Sequence, residues 1–577
     1  MEKIRIGVYV CWCGTNIAKM VDVQRVAENV GKLPEVVVAK DYKYMCSDPG
    51  QELIIKDIKE HNLNRVVVSA CSPRIHEITF RKALQKAGLN PYLFQMANIR
   101  EQLSWVHTDR EKATEKAISL VTGAINRVRW HESLEKRSVD INPATLVIGG
   151  GITGMTAALE IARADKTVYL IEKDKELGGH LSSVNKTYPN FVPTKNFMDP
   201  IREQVINHPR IMLYLDTQLE ELKGYIGNFT GQIKTGNKSL ELEFGNIIIA
   251  TGLKPFDPGP MDNYGYGKLP NVVTSVDLEQ MLATGEVRLK NRQKPKNIAI
   301  IHCVGSRNLD THEYCSRTCC MTALKYANEL ADLLPESNIY QLYADMRAMG
   351  KGCEELYAET SRRNVMFLMF DQKKKLPYVR RSQPGDVSRL YVELNEVLSG
   401  EQIEVPADMV ILMVGMEARE NAKKLGQMVG ISICGNEFYI EKHPKLDPVA
   451  TTTDGVFVAG SCQSPKNIPE SVSQAKAAVA RILATINVGS VEVEVTTAHV
   501  NEEICCGCQT CIRVCPYGAI TFLEEKKVSN VNEVLCKGCG TCTTSCPTGA
   551  ITSRHFTENQ ILSQIEGVMK QAMEVEL

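Results

Sequence analysis

The chain has 577 residues, and its formal net charge of −1 at pH 7 excludes the strongly basic field typical of nucleic-acid-binding proteins. Its hydrophobic content of 44% is ordinary for a globular protein and allows several packed domains. Twenty cysteines are many for this length. Their spacing suits metal ligation in a reducing, oxygen-poor cytoplasm better than a disulfide framework. We expect no membrane span and no secretory signal, because the apolar runs are short or glycine-rich.

The first segment is predicted to be a small α/β domain with a parallel sheet, since β-rich runs alternate with helical stretches. Strands are expected at Ile4–Val10, Val36–Lys40, Arg65–Ala70 and Tyr92–Met96. Helices are expected at Gly50–His61, Pro73–Ala87 and Arg110–Lys136.

Four cysteines follow the strands of this domain. Cys11 and Cys13 come after the first strand, Cys46 after the second and Cys71 after the third. Because the carboxyl ends of parallel strands meet at one edge of a sheet, these loops bring four thiols together. The pattern predicts an iron–sulfur site, and scattered structural cysteines are the alternative.

A glycine-rich turn, Gly149-Gly150-Gly151-Ile152-Thr153-Gly154, follows a predicted buried strand and opens a helix. Gly149 permits the tight turn, and Gly151 lets a pyrophosphate approach the backbone. Gly154 lets the helix pack close to the strand. Glu172 ends the next strand, where a carboxylate accepts a hydrogen bond from a ribose hydroxyl. This context predicts a dinucleotide site, and a glycine turn used only for packing is the alternative.

Further segments resemble flavin disulfide reductases of the thioredoxin-reductase type, and this resemblance implies that the dinucleotide is FAD. They are Leu177-Gly178-Gly179-His180, Ala250-Thr251-Gly252 and Thr453-Asp454-Gly455-Val456-Phe457-Val458-Ala459-Gly460. In that group an Asp follows the last glycine and binds the ribityl chain, whereas Ser461 stands here. Lys466 is a candidate for tuning the flavin, with an ordinary surface lysine as the alternative. The FAD-binding residues implied are Gly149, Gly150, Gly151, Gly154, Glu172, Lys173, Gly179, Ala250, Thr251, Gly252, Gly460 and Ser461.

In thioredoxin-reductase-like proteins an inserted domain carries its own glycine fingerprint for NAD(P)H. Here the corresponding strand runs into His302-Cys303-Val304-Gly305-Ser306-Arg307, so a nicotinamide pyrophosphate has no glycine cradle. Cys315, Cys319 and Cys320 follow and complete, with Cys303, a fourfold ligand set. Buried free thiols or a redox disulfide are the alternatives. We therefore expect electrons to reach the flavin through iron–sulfur centres and not from a hydride donor.

Two tandem cysteine runs near the end of the sequence form its most specific motif. Each has the spacing C-x2-C-x2-C-x3-C-P of a two-cluster ferredoxin, in which the fourth cysteine ligates the other cluster. Zinc or disulfides are the alternative, but zinc sites lack the third cysteine and the Cys-Pro step. The first cluster is predicted to take Cys505, Cys508, Cys511 and Cys546, and the second Cys536, Cys539, Cys542 and Cys515. Four cysteines fit no ligand spacing: Cys353, Cys434, Cys462 and Cys506.

The fold class predicted is multidomain α/β: a thioredoxin-reductase-like FAD domain pair, a small N-terminal α/β cluster domain and a C-terminal two-cluster α+β ferredoxin. The FAD-binding domain is split by an inserted, degenerate nucleotide-binding domain that carries an iron–sulfur site. The predicted segments are 1–140 (N-terminal iron–sulfur domain), 141–285 and 406–490 (the two FAD-binding halves), 286–405 (the insertion), 494–556 (ferredoxin) and 557–577 (a C-terminal helix).

Together these motifs resemble the A-type iron–sulfur flavoprotein of CoB–CoM heterodisulfide reductase over nearly the whole chain. The resemblance rests on the double ferredoxin run and on Val10–Asn16, Tyr44–Gln51, Ala70–Arg74, Cys303–Arg307 and Tyr314–Cys320. It implies one FAD and four [4Fe–4S] clusters, with the N-terminal and inserted-domain thiols as ligands. It also implies an oxidoreductase subunit that performs flavin-based electron bifurcation between a disulfide-reducing branch and ferredoxin.

The partners implied are B- and C-like subunits, an electron-input module of hydrogenase or formate dehydrogenase type, and ferredoxin, with a homodimer inside a larger cytoplasmic complex. In that family the B-type subunit, not the A-type one, reduces the heterodisulfide, and no catalytic residue is predicted here. No extra cysteine runs occur between Ser182 and Pro295, so the chain is a short form without the inserted ferredoxin. The alternatives are a docking scaffold with structural cofactors and a non-bifurcating electron-transfer subunit.

Overall fold

The structure is a computed structural model, and it describes residues 3–135, 137–382, 389–493 and 495–575. Contacts divide the chain into two compact units, Met1–Ser138 with Glu492–Leu577, and Val139–Val491. In the described part of the chain, no helix is long and apolar enough to cross a membrane.

The first unit begins with a four-stranded parallel sheet of order β2-β1-β3-β4. Its strands are β1 (Ile6–Cys11), β2 (Val36–Tyr42), β3 (Arg65–Ala70) and β4 (Phe94–Asn98). Its helices are α1 (Val23–Val30), α2 (Asp48–Glu60), α3 (Pro73–Ala87) and α4 (Arg110–Val128). Every residue of β1 is buried because helices cover both faces, as a parallel sheet requires. Val8 and Val10 pack with α1 and α4, whereas Tyr9 and Cys11 pack on the other face.

Helix α4 ends at Val128, well before the Lys136 predicted as its end, and residue 136 lies outside the described residues. The guanidinium of Arg65, on β3, donates to the carbonyl oxygens of Val128 (3.1 Å) and His131 (2.7 Å). These side-chain bonds satisfy carbonyls that a continuing helix would have used. The long amphipathic pattern therefore overestimated the helix, because the group that terminates it comes from a distant strand.

The second unit contains two five-stranded parallel sheets. The three strands from the centre to one edge have the same connections in both, whereas the opposite edge strand comes last along the chain in one sheet and first in the other. The strand orders are β23-β12-β6-β7-β8 and β14-β21-β15-β16-β17. In each sheet the central strand leads through a helix to the next strand, and an antiparallel three-stranded sheet follows the edge strand. The strands are β5 (Arg137–Asp140), β6 (Thr145–Ile148), β7 (Val168–Ile171), β8 (Ile211–Tyr214), β9 (Thr217–Tyr225), β10 (Asn228–Thr235), β11 (Lys238–Phe244), β12 (Asn246–Ile249), β13 (Lys254–Pro255), β14 (Val272–Thr274), β15 (Asn297–Val304), β16 (Asn338–Tyr343), β17 (Val365–Met369), β18 (Tyr378–Arg381), β19 (Leu390–Asn395), β20 (Gln402–Ala407), β21 (Met409–Val414), β22 (Met416–Glu417), β23 (Val456–Val458) and β24 (Ser490–Val493).

The helices of this unit are α5 (Ile152–Arg163), α6 (Lys195–Asn207), α7 (Ser275–Thr284), α8 (Cys319–Leu333), α9 (Cys353–Thr360), α10 (Ala422–Val429) and α11 (Ile468–Val488). The second sheet takes β14 and β21 from outside the predicted insertion 286–405, because both strands pair within it. The segment that builds this sheet is therefore wider than the sequence pattern indicated.

The first unit is completed by a small antiparallel α+β segment and a long helix. The elements are β25 (Ala498–Val500), α12 (Thr510–Val514), β26 (Ile520–Leu523), β27 (Val528–Val531), α13 (Thr541–Thr544), β28 (Ile551–Ser553) and α14 (Glu558–Val575). Strand β25 pairs with β28, and β26 pairs with β27. Residues 494, 576 and 577, which fall on predicted domain edges, lie outside the described residues. Helix α14 packs on α4 where Gly567 meets Gly123, and a Cβ on Gly567 would lie 2.8 Å from the Gly123 Cα.

Candidate functional site

A cavity of about 600 Å³ lies in the second unit, a size typical of small-molecule sites. Both halves of the unit contribute walls: the turn after β6 and the ends of β7 and β12 on one side, and α7, α8 and α9 on the other. Nine of the predicted FAD residues line it, namely Gly149, Gly151, Glu172, Lys173, Gly179, Ala250, Thr251, Gly252 and Ser461. Gly150, Gly154 and Gly460 are not in the lining.

The glycine turn has the shape of a phosphate cradle. A Cβ on Gly151 would meet nothing within 4 Å, so this residue leaves open space at the start of α5. Gly149 has φ +109°, and a Cβ there would lie 2.5 Å from the Ala250 carbonyl oxygen. A Cβ on Gly154 would lie 1.8 Å from the Gly149 carbonyl oxygen. The turn therefore fits a pyrophosphate at a helix N-terminus, and at Gly149 and Gly154 it is closed to residues with side chains.

The Glu172 carboxylate is buried and fixed by the backbone. One oxygen accepts from the N–H of Gly150 at 2.5 Å, and the other accepts from the N–H of Asp174 at 2.9 Å. Each oxygen has a further lone pair, so the carboxylate retains acceptors toward the cavity. Glu172 thus lies where the fingerprint requires an acceptor for a ribose hydroxyl.

The opposite wall contains a buried ion pair that the sequence did not predict. Lys325 is only 1% exposed and pairs with Glu279, while its Nζ also donates to the Lys186 carbonyl oxygen at 2.9 Å. The Tyr326 hydroxyl donates to the same Glu279 oxygen at 2.9 Å. All four residues line the cavity. A buried charge of this kind persists only when it is paired and hydrogen-bonded.

Lys466 also lines the cavity, near the predicted end of the flavin site. Its Nζ donates to the Gln463 side-chain oxygen and to the Ser464 hydroxyl, both at 2.7 Å. Burial lowers the pKa of Lys466 from its ordinary value. The side chain is therefore partly buried and fixed beside the cavity.

The thiols of the inserted half lie where β15 ends and α8 begins. The neighbouring thiols of Cys303 and Cys320, together with burial, raise the pKa of Cys319 well above its ordinary value, and Cys319 also lines the cavity. Cys315 is half-buried on the connecting loop, where the Arg317 N–H donates to its Sγ at 3.3 Å. The structure thus gathers Cys303, Cys319 and Cys320 and places Cys315 on the adjacent loop.

That loop is tied back to the turn after β15 by the hydroxyls of Ser306 and Ser316, which are 2.6 Å apart. The turn itself has no room for a dinucleotide cradle. A Cβ on Gly305 would lie 2.3 Å from the ring of Phe256, and Val304 still pairs with Val414 of β21. The strand end that would hold a nicotinamide pyrophosphate is therefore filled by an aromatic ring and bordered by thiols.

The N-terminal thiols meet at the carboxyl edge of the first sheet. The N–H groups of Cys13 and Met45 donate to the Cys11 Sγ at 3.3 and 3.4 Å. Burial raises the pKa values of Cys11, Cys46 and Cys71, the last to about 12, and nearby thiols of the same set contribute to the increase. The three loops thus bring the four predicted ligands together.

Arg100 is a residue of this site that the sequence did not indicate. It follows β4, the fourth strand of the sheet, and its Nη1 donates to the Cys13 Sγ at 3.2 Å. It also forms an ion pair with Glu101 at 2.6 Å and stacks on Trp105. Donors to ligand sulfurs tune the potentials of iron–sulfur clusters, and Arg100 makes a contact of this kind with one of the four predicted ligand thiols.

The ferredoxin thiols form two crossed sets. A small cavity is lined by all four cysteines of the first predicted set and also by Cys506. The other set surrounds Cys542, whose pKa is raised to about 11 by burial and by the neighbouring thiols Cys536, Cys515 and Cys539. In each set the fourth cysteine comes from the other run, as the two-cluster spacing requires.

Two family models and several relatives match this chain. Residues 143–301 match the family model described as pyridine nucleotide-disulphide oxidoreductase, and residues 504–550 match the 4Fe-4S dicluster domain. A CoB–CoM heterodisulfide reductase iron–sulfur protein of type A, from Methanopyrus kandleri, is 42% identical, with 99% of each chain covered. The chain belongs to this A-type family. The A-type member of the "H(2):CoB-CoM heterodisulfide,ferredoxin reductase" of Methanothermobacter thermautotrophicus is 39% identical over 99% of this chain and 98% of its own.

As a member of the A-type family, the chain is an oxidoreductase electron-transfer subunit with FAD and [4Fe–4S] cofactors. The predicted fold class is confirmed, with a thioredoxin-reductase-like FAD fold and a two-cluster ferredoxin. The alignment with the Methanopyrus relative extends over 662 positions, against the 577 residues of this chain. That relative therefore contains residues with no counterpart here, in agreement with a short form.

Proposed function

We propose that the chain is the electron-bifurcating subunit of a heterodisulfide-reductase-type complex, dividing electron pairs between a disulfide-reducing branch and ferredoxin. The observation that supports this best is the shared cavity: Gly151 of the glycine cradle and Cys319 of the inserted thiol set line the same space. When bound, FAD supplies a centre that exchanges two electrons with partners that carry one each. The residues around the cavity would hold that centre beside the proposed cluster ligands.

The input is proposed to be an iron–sulfur centre and not a nicotinamide. Phe256 fills the space beside Gly305, so the second sheet offers no pyrophosphate turn. Cys303 and Cys319 occupy the corresponding strand end and helix start. These thiols would hold a metal centre that supplies one-electron exchange at the cavity wall.

The cofactors proposed are one FAD and four [4Fe–4S] clusters, with FAD held by the residues predicted for it. We propose the domain division predicted from the sequence, with one change. The inserted domain also includes the strands β14 and β21. The proposed cluster ligands are Cys11, Cys13, Cys46 and Cys71; Cys303, Cys315, Cys319 and Cys320; Cys505, Cys508, Cys511 and Cys546; and Cys536, Cys539, Cys542 and Cys515.

The names of relatives support the proposed partners. The Methanothermobacter relative is named for H(2), the heterodisulfide and ferredoxin, and the A-type member of the "H(2)/formate:CoB-CoM heterodisulfide,ferredoxin reductase" of Methanococcus maripaludis is 35% identical. We infer a cytoplasmic complex with B- and C-like subunits and a hydrogenase- or formate-dehydrogenase-type module, built on a homodimer of this chain. Because the chain is short, a partner supplies the missing clusters or the electron path differs.

Anaerobic mixing of the purified chain with NADH or NADPH tests the input. We expect the flavin absorbance to persist, whereas reduced ferredoxin bleaches it. Rapid, complete bleaching by either nicotinamide would overturn the assignment of the input. Iron and flavin analysis of the same sample should give one FAD and four irons for each of the four clusters.

A second assay, on the complete complex, separates bifurcation from simple transfer. With hydrogen or formate as the donor, ferredoxin reduction should require the simultaneous presence of the disulfide acceptor. Equal rates of ferredoxin reduction with and without the disulfide would favour the non-bifurcating alternative. Flavin and clusters that never exchange electrons would favour the scaffold.

A further inference from the structure

The first ferredoxin site contains a fifth thiol. Cys506 lines the same small cavity as the four predicted ligands, although it fits no ligand spacing. Cys506 and Cys508 are two residues apart in this loop, and both are exposed. Cys511 lies deeper and is 6% exposed. The extra thiol therefore adjoins the surface corner of the site.

The second run provides an internal comparison. Its loop is Cys536-Lys537-Gly538-Cys539, against Cys505-Cys506-Gly507-Cys508 in the first. The glycines have similar backbones, with φ +67° at Gly507 and +62° at Gly538. In each loop a Cβ on the glycine would lie within 2.6 Å of a backbone carbonyl oxygen, that of Lys527 or Thr496. The two turns thus share one geometry, and a lysine stands where the first loop has its extra thiol.

Adjacent cysteines occur together at another site of the chain. Cys319 and Cys320 are consecutive buried residues at the start of α8, and both belong to the inserted thiol set. The backbone there directs two neighbouring thiols into one set. Cys505 and Cys506 form a second consecutive pair, and both line one cavity.

We propose that Cys506 is a reserve ligand of the first ferredoxin cluster and takes the place of Cys508 on the same iron. In the exchange, the Cys506 thiol loses a proton and forms an iron–sulfur bond, while the bond to Cys508 breaks and its sulfur takes up a proton. Iron keeps its oxidation state and the cluster keeps its charge, so no oxidant or reductant is needed. This inference rests on the proposed assignment of the first cluster.

Iron and acid-labile sulfide, measured on the anaerobically purified full chain, test the exchange. We expect Cys508→Ala to retain the full iron content of the unmodified chain, because Cys506 replaces the missing ligand. Cys539→Ala, the matched change in the second loop, should lose at least one iron per chain. The double variant Cys506→Ala/Cys508→Ala should lose as much as Cys539→Ala, and Cys506→Ala alone should lose none.

A further variant introduces the extra thiol into the second loop, so that the test does not depend on the first loop alone. Adding Lys537→Cys to Cys539→Ala should restore the lost iron. Equal iron loss in Cys508→Ala and Cys539→Ala would overturn the inference, and so would full iron in the Cys506→Ala/Cys508→Ala variant. If the proposed function is itself wrong, the unmodified chain will lack the expected clusters, which distinguishes that outcome from failure of this inference. The reduced-state EPR spectrum gives a second readout, since Cys508→Ala should shift one cluster signal without removing it.

Discussion

The two five-stranded sheets of the second unit share the path from a central strand through a helix to two further strands, yet their central strands end in different chemistry. After β6 the turn consists of glycines and leaves open space at Gly151. After β15 the turn contains Cys303 and leads to Cys319 and Cys320 at the start of α8. The carboxyl end of a central strand is a position where ligands bind, and what binds depends on the residues there.

The two turns also differ in which residues adopt positive φ angles. Gly149 adopts φ +109° without a Cβ to hinder it. Cys303, Arg307 and Arg317 adopt positive φ of 58–63° with side chains attached. Such a conformation costs about 1–3 kcal/mol at each residue and persists only where surrounding contacts fix it. The thiol turn therefore needs the support of the packed second sheet, whereas the glycine turn does not.

The largest effect is expected from Gly151→Leu. Its side chain enters the open space of the cradle, so we expect nearly complete loss of bound FAD with the iron content unchanged. Flavin released on denaturation and iron per chain are the measurements. Gly435→Leu is the control, because a Cβ there also meets nothing within 4 Å and lies away from the cavity lining. Stoichiometric FAD in Gly151→Leu would contradict the cradle.

The corresponding change on the thiol side is Cys319→Ala. We expect it to remove the cluster of the inserted half, a loss of up to four irons per chain, while FAD stays bound. Cys353→Ala is the matched control, since Cys353 is also buried, also lines the cavity and belongs to no predicted set. Equal iron loss in the two variants would contradict the assignment of Cys319, and not Cys353, as a ligand.

Lys325→Met tests the buried ion pair in the cavity wall shared by the two halves. It leaves the Glu279 carboxylate buried without its cation, and we expect a loss of about 3–5 kcal/mol in the free energy of unfolding. Chemical denaturation followed by circular dichroism measures it. Adding Glu279→Gln should recover much of the loss, because the unpaired charge is then removed. A single variant as stable as the unmodified chain would show that the pair is not needed.

The smallest effect concerns the cluster proposed at the N-terminal thiols. Arg100→Gln removes a cationic donor from the Cys13 sulfur, so its cluster should become harder to reduce, by about 60 mV, or about 1.4 kcal/mol for one electron. An EPR-monitored redox titration measures this shift. Arg100→Lys keeps the charge and should shift the potential less. An unchanged potential in Arg100→Gln would rule out this tuning.

Local spacing explains what the sequence predicted well. The glycine turn and the two ferredoxin runs each place their chemistry within a few neighbouring residues, so spacing alone gives the geometry. Arg100, Glu279 and Lys325 gave no such signal, because each acts on a residue far away along the chain. The end of α4 was missed for the same reason, since Arg65 terminates it from another strand. The width of the insertion depended on the pairing of β14 and β21, which no local pattern specifies.

The exchange of the fourth cysteine between the two ferredoxin runs has a consequence for biogenesis. Cys515 lies with the second set and Cys546 with the first, so neither metal centre has all its ligands until both loops have been synthesised and folded. A complete ligand set at either site therefore requires both loops. A chain truncated between the runs would keep three of the four predicted ligands of the first site and one of the four of the second.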